Sequence, residues 1–213
     1  MTQGAWLLLA LAAAVAVVDW IAVVHGTRRV RWATKPAVML LLVAVALALR
    51  PLNGFQRDIF IAALFLSLLG DVFLLGSAER WFVAGLAAFL GAHLAYIDGF
   101  LVGGFEPRLL LYWGPAVVIV SLGIGGRILG ALRGGGKRRL FGPVVLYLLA
   151  ISIMVALAGA SGRPAAAAGA VLFYASDGLI AWTRFVRPNT WAALPIIVTY
   201  HAGQALLVLS LSS

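Results

Sequence analysis

The chain contains no cysteine, so disulfides, thiolate nucleophiles and thiolate-bound metals are excluded, and nothing about the redox compartment follows. Charge is scarce as well: 11% of the 213 residues are Asp, Glu, Lys or Arg, and only seven of them are acids. No polar loop is long enough to fold as a separate domain. What fills the chain is apolar, with 63% hydrophobic residues spread from end to end. A soluble core does not need that composition, whereas a polytopic membrane protein does.

A hydrocarbon layer about 30 Å thick takes roughly 20 helical residues to cross, so this chain has room for about eight crossings. Hydropathy places them near residues 4–25, 34–50, 58–76, 81–102, 109–130, 140–160, 164–183 and 190–211. The fold class predicted is an all-α transmembrane bundle, with residues 1–213 forming a single integral membrane domain. The first span lacks a basic n-region and a small-residue cleavage site, and reads as a retained helix rather than a signal peptide.

The net charge of +9 points to nucleic acid in a soluble protein, but here basic residues report topology and no nucleic-acid partner is expected. Assigning the first, third, fifth and seventh connections to the cytoplasm places 12 of the 16 basic residues there, with both termini outside. The fifth connection, "RGGGKRR", reads first as a topology signal and second as a contact for anionic headgroups. The Arg-heavy, Ala-rich composition points to a high-GC bacterium, and so to the inner membrane.

Asp58, Glu79 and Glu106 fall in or beside loops, leaving Asp19, Asp71, Asp98 and Asp177 inside spans. An ionised Asp near the middle of a membrane helix costs about 2.5–3.5 kcal/mol, so such residues turn inward and find partners. Asp19 and Asp98 are expected to pair with basic neighbours in structural roles. Pro36 reads as an ordinary helix start and Lys35 beside it, in "TKPAVMLLL", as a side chain that snorkels to the headgroups or offers a point charge to a substrate phosphate.

Asp71 in "SLLGDVFLL" and Asp177 in "LFYASDGLIAW" stand apart. They lie on helices running the same way, at matching depth near the cytoplasmic end. Gly70, Ala175 and Ser176 beside them are small enough for close helix approach. Two carboxyls brought together in low dielectric share a proton, which places a general acid beside a general base.

Other polar groups fall at similar depth: His93 and Tyr96 on one face of the fourth span, Tyr200 and Gln204 on one face of the eighth, and Tyr174 one turn before Asp177. His93, His201, Asp71 and Asp177 are possible metal ligands on paper, yet no H-x-x-x-H or H-E-x-x-H spacing occurs, so neither a metal nor another cofactor is expected. Ser-His-Asp hydrolysis lacks its G-x-S-x-G elbow.

The ordered set "KP" at Lys35, "SLLGD" ending at Asp71, "AHLAYI" around His93 and Tyr96, "SD" at Asp177 and "TYHAGQ" around Tyr200 and Gln204 resembles the YhhN family of membrane proteins, which includes lysoplasmalogenases. The resemblance runs from about Lys35 to Gln204. It implies an eight-helix integral hydrolase that cleaves the sn-1 vinyl ether bond of lysoplasmalogens to a fatty aldehyde and glycerophosphoethanolamine or glycerophosphocholine. Asp71 and Asp177 take the catalytic positions, and a lysophospholipid in the bilayer is the partner. Lys35, His93, Tyr96, Tyr174, Tyr200 and Gln204 are the substrate-binding candidates. His201 departs from the family pattern, which has a second tyrosine there.

The chemistry suits the residues, because vinyl ether hydrolysis is limited by protonation of a carbon and a buried carboxyl can supply that proton. The residues alone leave two alternatives open. One is a transporter or lipid translocator using membrane carboxylates as a proton relay; the other is a hydrolase of another ether or ester lysolipid. Small-residue stripes such as "GPAVVIVSLGIGG" leave the oligomeric state open.

Overall fold

Start and stop signals in the sequence divide the chain into helices, seen here in a computed structural model that describes residues 1–135 and 137–212. Gly136 of the "RGGGKRR" loop and Ser213 lie outside the described residues. Among the described residues there are eight α-helices and no strand: α1 Gln3–Val24, α2 Arg28–Ala48, α3 Gly54–Leu74, α4 Glu79–Gly103, α5 Pro107–Gly134, α6 Phe141–Ala160, α7 Pro164–Ala181 and α8 Ala193–Leu209. Thr2 opens α1 by accepting the Ala5 amide at 3.1 Å, and Asn53 opens α3 by accepting those of Phe55 and Gln56. Prolines start α5 and α7, where a missing N–H costs nothing. Gly26 and Gly104, with φ of +65° and +85°, reverse the chain after α1 and α4.

Two boundaries differ from expectation in ways that matter. The charged run from Arg28 continues α2 outward, so Lys35 lies two turns inside the helix and Pro36 is an interior proline rather than a helix start. It leaves the Trp32 carbonyl without an intrahelical donor, one turn from the buried Lys35. At the other end of the site, α7 widens into a π-helical turn, Trp182–Val186.

Seven of the eight helices are long and apolar enough to cross a membrane, and α3 differs by carrying Arg57, Asp58 and Asp71. Leu111, Ile119 and Leu122 of α5 point outward with 71–75% of their surface exposed, as lipid-facing residues do. The chain is an integral, multi-pass membrane protein.

Helix neighbours follow a closed circuit: α1 on α2, α2 on α3, α3 on α4, α4 on α6, α6 on α7, α7 on α8, and α8 back onto α1 and α2. Helix α5 stands outside this ring, packed on α6 and on the π turn. In α3 and α4, side chains settle over glycines: the Phe89 ring covers Gly70, Leu74 covers Gly85, and Phe60 covers Gly99.

Helices α7 and α8 touch backbone to backbone. A Cβ on Gly203 would stand 2.9 Å from the Gly169 carbonyl oxygen, and one on Gly169 would stand 2.8 Å from that of Gly203. No side chain is available to yield, so Gly203→Val will push the two helices apart. Overpacking of this kind costs about 1–3 kcal/mol. Thermal unfolding in detergent should show the drop, while Gly123→Val, whose Cβ meets nothing within 4 Å, keeps the parent midpoint.

Candidate active site

Asp71, near the end of α3, is fully buried. From α2, Lys35 brings its Nζ to 2.9 Å from Oδ1, and from α8 the Tyr200 hydroxyl donates to Oδ2 at 2.6 Å. Lys35 is only 7% exposed, so its ammonium turns inward to Asp71 instead of snorkelling to the surface. Three helices of the ring thus meet at one carboxylate, held by a cation and a phenol.

Asp177 on α7 has different company. The Tyr147 hydroxyl from α6 donates to its Oδ2 in a short hydrogen bond. His93 Nε2 from α4 lies 3.7 Å from the same oxygen, too far for a hydrogen bond. The His93 ring packs edge-on against Tyr147 at a centroid distance of 5.0 Å and against Phe173 at 4.8 Å. With 10% of its side chain exposed, Asp177 reaches a cleft; Asp71, at 1%, does not line it.

Among the described residues no hydrogen bond joins the two carboxyls directly, though Asp177 lies within electrostatic reach of Asp71 and Lys35. Aromatic rings connect the two groups. Phe173 touches Tyr200 at 5.4 Å between centroids on one side and His93 on the other, and Phe89 touches Tyr200 at 5.8 Å and faces the cleft. Tyr96 donates to Gln204 Oε1 at 2.6 Å, tying α4 to α8.

Tyr174 lines the cleft, but its hydroxyl bonds to Ser121 of α5 at 2.9 Å, which in turn meets Ser152 of α6 at 2.9 Å. His201 accepts from Trp20 Nε1 at 3.1 Å, well apart from the Asp177 cluster in its bonding. Asp19 accepts from Thr34 at 2.6 Å and has Arg31 at 3.8 Å, whereas Asp98 is exposed and makes no ion pair among the described residues, against expectation.

The cleft runs between α4, α5, α6 and α7 and is open at its mouth, with about 650 Å³ of empty space when the solvent at the mouth is included. Leu86, Phe89, Ile124, Val144, Leu148 and Ile151 contribute to its apolar wall, and among the described residues its only polar side chains are Tyr147, Tyr174 and Asp177. A second, apolar depression, walled by Trp113, Val117, Val120, Val155 and Val171, meets the first at Tyr174. Chemically this is a carboxyl with a phenol donor set in an oily slot, suited to moving a proton onto a lipid-soluble group.

Tyr147 is the site residue that sequence reasoning missed, because "VVLYLLAISIM" holds no motif. A signal existed: of five tyrosines, Tyr96, Tyr147, Tyr174 and Tyr200 lie in this polar core, and Tyr112 alone is widely exposed, at 74%.

The sequence profile of the YhhN family matches residues 30–211. "Lysoplasmalogenase" from Mycobacterium bovis is 36% identical over 174 residues, covering 80% of this chain and 66% of the relative. "Lysoplasmalogenase TMEM86B" from Homo sapiens is 35% identical over 158 residues, covering 74% of this chain and 65% of that protein. "Lysoplasmalogenase TMEM86A" from Homo sapiens is 33% identical over 162 residues, covering 71% and 64%. The matched region thus spans just under two thirds of each relative's length. No solved structure matches the chain.

Proposed function

Because this chain belongs to the YhhN family, we propose that it is a lysoplasmalogenase, hydrolysing the sn-1 vinyl ether bond of a lysophospholipid within the membrane. One observation carries the reading: Asp177, hydrogen-bonded by Tyr147, opens onto a cleft that is otherwise almost wholly apolar. A slot of this kind takes an alkenyl chain and shields a carbon-protonating acid from water.

The two aspartates divide the work. Protonated Asp177 gives its proton to the β carbon of the enol ether, and positive charge develops on the α carbon and the ether oxygen. The carboxylate left behind stabilises that oxocarbenium ion and takes a proton from the water that attacks the α carbon. In the collapse of the hemiacetal Asp177 gives the proton it took from water to the glycerol oxygen and recovers one from the hemiacetal hydroxyl, so the C–O bond breaks and the products leave as alcohol and aldehyde. Water is the only co-reactant, and Asp177 ends as it began.

Asp71, bound to Lys35 and Tyr200, supplies a standing charge behind the aromatic contacts and positions α3 and α8 around the reacting group. Lys35 is committed to that pair rather than to substrate. The membrane is the bacterial inner membrane, with the cleft end and its Arg-rich loops toward the cytoplasm.

Purified protein should release one fatty aldehyde per lysoplasmalogen, detected by mass spectrometry, and leave the matched alkyl-ether and ester lysolipids intact. Cleavage of the ester alone would overturn the vinyl ether assignment.

A further inference from the structure

The mouth of the cleft carries two aromatic rings with a cation on each. Phe82 of α4 and Phe185 of the π turn both line the cleft and meet edge to face, 5.8 Å between centroids. The Arg184 guanidinium lies 3.9 Å from the centre of the Phe82 ring, and Lys137 Nζ lies 5.6 Å from that of Phe185. Cation–π contact fixes a charge in place without neutralising it.

Three other cations at this end are committed, Arg139 to Glu79, Lys35 to Asp71 and Arg31 to the neighbourhood of Asp19, while Arg80 and Arg133 stand over Trp81 and Phe141, rings that do not line the cleft. Among the described residues, Arg184 and Lys137 make no ion pair and no hydrogen bond. They are exposed, anchored over the opening, and free to accept an anion.

We propose that Arg184 and Lys137 form the phosphate-binding rim of the cleft, holding the phosphodiester of a lysophospholipid so that its sn-1 bond falls at Asp177. This rests on reading the chain as a lysophospholipid hydrolase. The order along α7 fits the order of groups in the lipid. Arg184 stands at the rim, and Asp177 lies about 10 Å further in, seven residues at 1.5 Å each. Tyr174 comes one turn beyond, where the second depression begins. A three-carbon glycerol spans the first interval, and the hydrocarbon chain continues past Tyr174.

The π turn has a part in this, since its extra residue sets Arg184 and Phe185 over the opening where a regular helix would carry them round the axis. Arg184 also presents the planar fork that matches phosphate oxygens, with Lys137 as a point charge beside it.

The test compares two non-hydrolysable ligands of equal chain length, a 1-O-alkyl lysophosphocholine and the 1-O-alkylglycerol that lacks phosphate. Binding to the full chain in neutral detergent is followed by tryptophan fluorescence. The parent should prefer the phosphate-bearing ligand by about tenfold, as expected for charge-assisted bonds to phosphate. The double variant Arg184→Gln/Lys137→Gln should bind both alike, with unchanged affinity for the alkylglycerol.

Arg127→Gln, at the same end but with its guanidinium on the Gly123 carbonyl, should behave as the parent. Retention of the phosphate preference in the double variant overturns the proposal, and so does equal loss of both ligands. Chain-free glycerophosphocholine competing as strongly as the lipid would mean that the rim serves a free phosphodiester, which also overturns it. With lysoplasmalogen as substrate, the double variant should show KM raised about tenfold and kcat unchanged. Absence of aldehyde from the parent would refute the hydrolase reading, while the binding comparison would still decide the rim.

Discussion

Asp177→Asn will reduce aldehyde release by three orders of magnitude or more while leaving helical content and the detergent melting point unchanged. Asparagine keeps the shape of the side chain, and its carbonyl oxygen can still accept the Tyr147 hydroxyl that now bonds Oδ2. What it lacks is a proton to give. General acid catalysis by a positioned group contributes about 10²–10⁴-fold, and in the proposed mechanism the same carboxyl also faces the developing cation. Rate at saturating lysoplasmalogen is the quantity to measure, since binding to the apolar cleft is untouched and KM should hardly move. Turnover within tenfold of the parent would remove Asp177 from the chemistry. Asp71→Asn is expected to be the milder of the two, because Asp71 does not line the cleft.

The second large effect is on stability. Lys35→Met will leave the Asp71 carboxylate buried without its counter-charge, with the Tyr200 hydroxyl as its one remaining donor among the described residues. Removing one partner of a buried ion pair costs about 3–5 kcal/mol, far above the worth of an exposed pair. The double variant Lys35→Met/Asp71→Leu removes both charges and should recover most of the loss, since an apolar pair of similar volume replaces an ion pair at little cost. Thermal unfolding in detergent of the two singles and the double closes the cycle. A single Lys35→Met variant as stable as the parent would show that the ammonium does not pair with Asp71.

Hydropathy made the helices legible because a membrane imposes one length and one polarity on every crossing. The polar positions were legible for the same reason: an aspartate or tyrosine in an oily helix is conspicuous. Choice of partner was not. Lys35 sits beside a proline that read as a helix start, so the headgroups looked nearer than Asp71. Only the extension of α2 back to Arg28 puts its ammonium inside the ring. The sequence places Asp71 and Asp177 at matching depth, but depth says nothing of rotation about the helix axis, and it is rotation that gives one a lysine and the other a cleft. Tyr147, Arg184 and Lys137 owe their places to neighbours on other helices, a relation no local spacing encodes.

The Lys35–Asp71 pair joins α2 to α3, and the contacts of Asp19 with Thr34 and Arg31 join α1 to α2. Both link helices that are consecutive along the chain. During biogenesis each hairpin therefore carries its own counter-charge as it leaves the translocation machinery, before any later helix exists. An isolated membrane charge costs about 2.5–3.5 kcal/mol on insertion. Pairing within the hairpin lets the first three helices partition into lipid with Asp19 and Asp71 already countered, and lets the remainder of the bundle assemble on a template already in place.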